Sequence, residues 1–388
     1  MNSRIARTAV VYLLAFFTGL NFVIFPALSS VFTDHSLFGL SPARFGNLFI
    51  PQVICIIASC LAAPFLVNKA GPKIVLGTGL VLMMAATAGL WSLQFFMDDK
   101  AVLFPVLMVL VACTGTGFGL SITTLNPLAA SLSENNTSSS ILILQFLVGL
   151  GTSASPLMIN AAGSLNNWMC VPGIIFILVA VVFILFLSIR LEKGSLFQLP
   201  PHFKIPSRLR LFFAAIVLYG FIEGTFGSFG AVILKNQGLS SSQASLGLSL
   251  FWGGIAVNRL LFGIFAKKFD LSYLFLGSPL AVAVLLSALW IYPDPGLLVL
   301  MMFLTGFFMG TLFPGSIGWG TVEFPSLSVL VSGFLMAANQ TGTGIITNTL
   351  GHFSKETTLI LQFLTGCTVV IFVILMVLRK NSKIKEAF

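Results

Sequence analysis

The chain of 388 residues is a succession of long apolar stretches separated by short polar breaks. A hydrocarbon core about 30 Å thick is crossed by about 20 apolar residues in a helix. Twelve stretches reach this length, which predicts an all-α membrane protein with twelve transmembrane helices. The predicted segments are 8–32, 43–67, 73–96, 101–130, 139–163, 170–190, 209–235, 242–266, 272–292, 296–322, 327–351 and 357–379.

The longest break, residues 191–208, lies near the middle of the chain and contains Pro200, Pro201 and Pro206. We interpret it as a cytoplasmic linker between an N-terminal six-helix bundle, residues 1–190, and a C-terminal six-helix bundle, residues 209–388. A weak internal repeat supports two pseudo-symmetric halves. The stretch 114–119 begins with Thr-Gly and is followed by Asn126-Pro127. The stretch 305–310 also begins with Thr-Gly and is followed by Phe313-Pro314.

Charge is scarce and unevenly placed. Only 8% of residues are charged, 57% are hydrophobic, and the mean hydropathy is +1.03, whereas soluble domains carry about 25% charged residues. When alternate loops are assigned to opposite sides, all Lys and Arg except Arg44, Lys100, Lys235 and Lys355 fall on one side together with both termini. This positive-inside bias places the termini in the cytoplasm. The net charge of +9 therefore indicates topology, not nucleic-acid binding.

Several function classes are poor fits to the sequence. The loops leave no room for a soluble domain or an ATP-binding module, and no phosphate-binding loop is present. The five Cys and three His show no metal-ligand spacing, so we expect no metal, no cofactor and no enzymatic activity. The compact loops favour a bacterial inner membrane, with the lipid bilayer as surroundings and a monomer as the working form.

Glu223 is the sharpest chemical signal, because it lies near the middle of the seventh predicted helix. No Lys or Arg is expected at comparable depth, and burial without a cation favours the protonated carboxyl. We predict that Glu223 binds a transported proton or contacts the substrate directly. A permanently protonated structural Glu is the alternative.

Other polar residues at mid-depth are candidates for substrate binding. Amides and hydroxyls offer donors and acceptors to a small polar solute, although they also make ordinary interhelical hydrogen bonds. Tyr219 is one turn from Glu223 and can meet it. The candidates are Asn21, Thr123, Asn126, Gln145, Tyr219, Asn339 and Gln340.

Charged residues at the predicted helix ends are candidates for gating. Arg259 closes the eighth predicted helix, and Glu134 and Glu323 follow the fourth and tenth. An Arg259–Glu323 pair would act as a cytoplasmic latch. Simple anchoring of charges at the interface is the competing interpretation.

Several segments together resemble the fucose permease branch of the major facilitator superfamily. The seventh segment reads Tyr219-Gly220-Phe221-Ile222-Glu223, similar to that branch's aromatic-Gly-x-x-Glu stretch, and the fourth reads Thr123-Thr124-Leu125-Asn126-Pro127, similar to its Thr-x-x-Asn-Pro run. The resemblance implies a transporter of the major facilitator fold. Phe22 and Ile122 stand where the branch carries acids associated with proton and sugar handling, so the substrate does not follow from the resemblance.

We therefore expect a secondary active transporter that takes up a small polar organic solute with protons by alternating access. The first alternative is a proton-driven exporter of drugs, siderophores or metabolites, since Gly149-Leu150-Gly151 and Pro156 loosely echo an antiporter pattern. A sensor or assembly protein that retains the fold without transport is the second alternative.

Overall fold

The computed structural model describes residues 4–28, 31–32, 38–95, 100–131, 137–162, 169–191, 204–266, 268–292, 294–353, 356–380 and 382–387. Within these ranges the regular structure is helical, and twelve segments are long and apolar enough to cross a membrane. The prediction of an all-α, multi-pass membrane protein with twelve transmembrane helices is confirmed.

The membrane helices follow the predicted order. They are α1 (Arg4–Phe22), α2 (Ile50–Ala70), α3 (Pro72–Ser92), α4 (Lys100–Ser131), α5 (Thr137–Ala161), α6 (Cys170–Leu187), α7 (Ser207–Asn236), α8 (Ser241–Phe265), α9 (Ser272–Ile291), α10a (Pro295–Met309) with α10b (Leu312–Glu323), α11 (Ser328–Phe353) and α12 (Thr357–Arg379). Short helices also form at Ile24–Ala27, Pro42–Asn47 and Ile384–Ala387.

In the first and tenth predicted segments the helix is interrupted three or four residues before a proline. The first breaks at Val23 after α1, and the tenth breaks at Gly310 and Thr311 between α10a and α10b. A proline has no N–H for the carbonyl four residues before it, and its ring crowds that carbonyl. Pro26 therefore leaves the Phe22 carbonyl without its usual backbone donor. The Gln52 side chain of α2 donates a hydrogen bond to this carbonyl at 3.4 Å.

Contacts between Cα atoms divide the chain into two compact units. The first contains Met1–Leu132 and Leu144–Leu199, and the second contains Ser133–Ile143 and Pro200–Phe388. The predicted halves were contiguous in sequence, whereas here the start of α5 belongs to the second unit. The predicted linker 191–208 lies mostly outside the described residues, and α7 begins within its last residues.

In the first unit, α4 packs against both α2 and α3. Gly71, with φ +88°, ends α2 and starts α3, a backbone conformation that glycine adopts without steric cost. Lys73 at the start of α3 donates to the carbonyls of Leu187 and Ile189, both at 2.8 Å. A cation thus binds the free carbonyls at the end of α6, where the helix dipole favours it.

In the second unit, α7 packs most extensively against α11, and α8 against α10a. Polar residues define where these helices begin. Ser240 and Gln243 form a reciprocal capping box at the start of α8, and the Asp294 carboxylate accepts the Leu297 N–H at 3.0 Å to cap α10a. Such caps satisfy N–H groups that the first helical turn leaves open.

Candidate substrate and coupling site

Glu223 lies about halfway along α7, and both of its carboxylate oxygens accept a hydrogen bond. The Tyr219 hydroxyl donates to Oε1 at 2.9 Å from one turn earlier on the same helix. The Asn339 amide of α11 donates to Oε2, also at 2.9 Å. The Glu223 side chain is only 14% exposed. Both oxygens of this largely buried carboxyl group therefore have a hydrogen-bond donor.

Arg259 supplies a positive charge to the same carboxylate. Its Nη2 lies 3.8 Å from Glu223 Oε1, and its Nε donates to the Gly310 carbonyl at 3.0 Å. The expectation that no cation reaches the depth of Glu223 is therefore wrong. Arg259 belongs to the last turns of α8, but its long side chain extends into the helix bundle and is 10% exposed.

The close approach of helices explains why these side chains meet. A Cβ on Gly220 would lie 2.5 Å from the Asn339 carbonyl oxygen, so α7 and α11 touch through backbone at this point. A Cβ on Gly310 would lie 2.8 Å from the Ile255 carbonyl oxygen of α8. Small residues permit such backbone contact between membrane helices. Asn339 and Arg259 consequently reach Glu223 from two neighbouring helices.

The predicted gating residues have other partners than expected. Glu323, at the end of α10b, lies 3.1 Å from Arg208 Nε and accepts the Lys383 backbone N–H at 3.0 Å. Arg259 pairs with Glu223, so the expected Arg259–Glu323 latch is corrected to an Arg208–Glu323 pair. Glu134 lies outside the described residues.

Arg208 also ties the two ends of the second unit together. It donates to the carbonyls of Leu378 and Lys380 at the C-terminal end of α12. Beyond α12, Ile384 and Ala387 of the last short helix are buried. We call Arg208, Glu323 and residues 378–380 and 382–387 the C-terminal clasp.

The remaining substrate-binding candidates are divided between the units. In the first unit, the Gln145 amide of α5 donates to the Asn126 side-chain oxygen of α4 at 3.0 Å. Asn21 of α1 instead donates to the Met83 carbonyl of α3 at 3.3 Å, and Thr123 is fully buried. In the second unit, Gln340 is half-buried. The structure therefore brings Asn126 and Gln145 together and keeps Asn21 in a separate interhelical contact.

Apolar contacts fill the two positions where the fucose permease branch carries acids. The Phe22 ring stacks on the Phe118 ring of α4 with centroids 4.1 Å apart, and Ile122 is fully buried. Stacked aromatic pairs contribute about 0.5–1.5 kcal/mol beyond their buried area. These two positions serve packing in the first unit. Glu223, whose carboxylate accepts hydrogen bonds from Tyr219 and Asn339, lies in the second unit.

A search of the described residues for three or more neighbouring His, Cys, Asp or Glu side chains finds no group able to hold a metal ion. The polar groups around Glu223 are hydrogen-bond donors and one guanidinium, which suit an oxygen-rich organic ligand better than a metal ion.

Comparison with known proteins agrees with this architecture. The family profile described as the Major Facilitator Superfamily matches residues 10–347. The chain belongs to the major facilitator superfamily. The named relatives are transporters, and the resemblance to the fucose permease branch is confirmed.

One curated relative and two solved structures cover most of the chain. The glucose/mannose transporter GlcP of Bacillus subtilis (strain 168) is 27% identical over 325 residues, 79% of this chain and 78% of that protein. FucP in the outward conformation has a TM-score of 0.79 at 16% identity, covering 96% of this chain and 98% of that one. The E. coli fucose:proton symporter FucP has a TM-score of 0.77 at 15% identity, covering 97% and 98%. At these identities the structures show the shared fold.

Sequence reasoning missed Arg259 as the partner of Glu223 and Arg208 as the partner of Glu323. Arg259 lies close to a helix end in sequence, and only the packing of α8 beside α7 and α10a shows the direction of its side chain. Pro314 was a signal in the sequence that could have pointed to an inward-facing donor such as Arg259, because a proline inside a membrane helix leaves a carbonyl that needs a donor.

Proposed function

We propose that this chain is a proton-coupled transporter that takes up a small, neutral, hydroxyl-rich solute of the sugar type by alternating access. The observation that carries the proposal is the environment of Glu223. It combines two hydrogen-bond donors, Tyr219 and Asn339, with one counter-charge on Arg259. A charged pair inside a membrane helix bundle is expensive to maintain and usually serves function.

Proton binding at Glu223 changes the balance of this pair. The ionised carboxylate attracts Arg259, whereas the neutral carboxylic acid does not, and it gains an O–H donor. The 3.8 Å separation between Arg259 Nη2 and Glu223 Oε1 is longer than a hydrogen bond, so the pair is held by charge more than by a fixed bond. Uptake of one proton therefore converts an ion pair into a neutral acid next to a guanidinium whose positive charge is no longer balanced.

The polar groups near the pair fit a solute rich in hydroxyls. The Asn339 side-chain oxygen is buried without a hydrogen-bond partner among the described residues, and a substrate hydroxyl would satisfy it. The hydrogen-bonded amides of Asn126 and Gln145 in the first unit are a separate candidate for binding such a solute. The relatives named for glucose, mannose and fucose transport support sugars as the first substrates to test.

The sequence supports the remaining parts of the proposal. The positive-inside bias supports cytoplasmic termini, and the compact loops support a bacterial inner membrane. The working form would be a monomer whose partners are a small-molecule substrate, protons and lipid, without nucleic acid.

Transport into proteoliposomes tests this function. Purified protein would be reconstituted and offered labelled glucose, mannose, fucose and xylose, with and without an inwardly directed proton gradient. We expect gradient-driven accumulation of at least one sugar, lost on addition of a protonophore. Glu223→Gln should abolish accumulation while exchange of labelled for unlabelled sugar continues. Glu386→Gln, which changes a carboxyl side chain that is 64% exposed, is the matched control.

The outcomes separate the proposal from its alternatives. Accumulation by Glu223→Gln on a proton gradient would remove Glu223 from coupling. Proton-driven efflux of substrate in place of uptake would identify an exporter. No flux of any tested solute class, sugars, polyols, carboxylates and siderophores included, would favour a protein without transport activity.

A further inference from the structure

The Gly310 carbonyl has an unusual position in the second unit, because Pro314 lies four residues later in the chain. In an uninterrupted α-helix the carbonyl of residue 310 accepts the N–H of residue 314. A proline at 314 has no such N–H. The interruption between α10a and α10b falls at Gly310 and Thr311, and the proline ring itself is buried within α10b.

A carbonyl freed in this way needs a donor, since an unsatisfied backbone group in the membrane interior costs several kcal/mol. The donor to the freed carbonyl differs between Pro279 and Pro314. Pro279 in α9 frees the Phe275 carbonyl, and the neighbouring Ser278 hydroxyl donates to it at 2.8 Å. At Pro314 the donor comes from another helix, because Arg259 Nε donates to the Gly310 carbonyl at 3.0 Å.

This bond fixes the orientation of the guanidinium that faces Glu223. Nε is held by Gly310, and Nη2 of the same planar group lies 3.8 Å from Glu223 Oε1. Because the guanidinium is rigid and planar, anchoring one nitrogen sets the positions of the other two. The close contact of Gly310 with Ile255 and Asn258 of α8 brings the carbonyl within reach of Arg259.

We infer that Pro314 is a positioning residue for the Glu223–Arg259 pair. Because Pro314 has no N–H, the Gly310 carbonyl is open to the hydrogen bond from Arg259. That bond keeps the guanidinium beyond hydrogen-bond distance from the Glu223 carboxylate. Arg259 also keeps a partner after Glu223 is neutralised by a proton, so proton binding does not leave the guanidinium without an acceptor. This inference rests on the proposed coupling role of Glu223.

Replacement of the proline by a residue with an N–H tests the inference. Pro314→Ala supplies a donor that competes for the Gly310 carbonyl. Arg259 then approaches Glu223 more closely, and the ionised carboxylate becomes more stable. Uptake that requires a protonated Glu223 should reach half of its maximum at a pH lower by roughly half to one unit. Pro279→Ala, where a local serine already satisfies the carbonyl, should leave the pH profile unchanged.

A second substitution ties the effect to Arg259. Arg259→Lys keeps the charge but has no secondary N–H in the geometry that binds Gly310. In this background Pro314→Ala should produce little further shift, so the two substitutions should be clearly non-additive. Pro314→Gly also carries an N–H and is measured in parallel, which guards against a misfolded alanine variant. A cooperative thermal unfolding transition of each purified variant shows that the protein is folded.

The results distinguish failure of this inference from failure of the proposed function. A native protein without pH-dependent uptake would contradict the coupling role of Glu223. A native protein with pH-dependent uptake and an unchanged profile in Pro314→Ala and Pro314→Gly would overturn the role of Pro314 alone. Additive shifts with Arg259→Lys would also overturn it, because they would show that Pro314 acts through another part of α10a or α10b.

Discussion

Tyr219 and Glu223 lie one turn apart on α7, and the Tyr219 hydroxyl donates a 2.9 Å hydrogen bond to Glu223 Oε1. Tyr219 is fully buried, and its ring stacks on the Phe313 ring of α10b with centroids 6.0 Å apart. The hydroxyl is therefore held in place by packing as well as by its bond. Its removal should change the proton affinity of the site more than the fold.

Tyr219→Phe should move the pH of half-maximal uptake upward by about one unit. A hydrogen bond to a charged group is worth about 1.5–3 kcal/mol, and one pH unit corresponds to about 1.4 kcal/mol. Loss of a donor to the carboxylate favours the protonated form, which then persists to higher pH. Uptake rates measured across a pH series test this shift. Tyr292→Phe, at a tyrosine that is 68% exposed, should have no effect, and a downward shift in Tyr219→Phe would contradict the assignment.

Removal of either charge of the Glu223–Arg259 pair should destabilise the protein, and removal of both should restore much of the loss. A buried charge left without its partner costs about 3 kcal/mol or more. Glu223→Gln and Arg259→Gln should therefore each lower the Tm of the purified protein, and the double variant should melt closer to the native protein. Scanning fluorimetry in detergent measures all four proteins. Additive losses in the double variant would show that the two charges do not interact.

Gly220→Ala should destabilise the second unit. The added Cβ would lie 2.5 Å from the Asn339 carbonyl oxygen and 3.0 Å from the Thr343 nitrogen, so α7 and α11 would have to move apart. Overpacking of this kind costs about 1–3 kcal/mol. Gly277→Ala in α9 is the matched control, since its Cβ would meet nothing within 4 Å. Equal Tm values for the two variants would argue against close α7–α11 contact.

The C-terminal clasp predicts that a charge swap is rescued between Arg208 and Glu323, and not between Arg259 and Glu323, the pair expected from the sequence. Arg208→Glu should release residues 382–387 from Glu323, visible as faster hydrogen exchange at Lys383, whose N–H is bound at 3.0 Å. Combining it with Glu323→Arg should restore part of the lost Tm, because the opposite charges meet again, but not the protection of Lys383, because arginine has no hydrogen-bond acceptor. The same exchange between Arg259 and Glu323 should restore nothing. Rescue by that second pair in place of the first would contradict the pairing seen here.

The sequence predicted the features that depend on local spacing. Helix positions followed from apolar length, and the Tyr219–Glu223 contact followed from the i, i+4 geometry of one helix. Asn126 and Gln145 were both expected in a polar site, and they do form a hydrogen bond across α4 and α5. Each of these depends on residue type and periodicity, which the chain displays directly.

The features that depend on contact between helices could not be predicted in the same way. Arg259 was placed at a membrane surface because it lies near a helix end, and the rotation of α8 about its axis decides that it points inward instead. Glu323 was assigned to Arg259 because both were expected on one side, yet Arg208 from the start of α7 is the residue beside it. Pattern along the chain gives the depth of a residue but not the direction that it faces.

The opposite charges of Glu223 and Arg259 have a consequence for the response to membrane voltage. An ionised Glu223 beside Arg259 sums to zero charge, so movement of the unloaded site across the electric field does no electrical work. With a proton on Glu223 the same site carries one positive charge, on which a potential of 100 mV exerts about 2.3 kcal/mol. An interior-negative voltage would therefore favour inward movement of the protonated site and would have no effect on the movement of the unprotonated site.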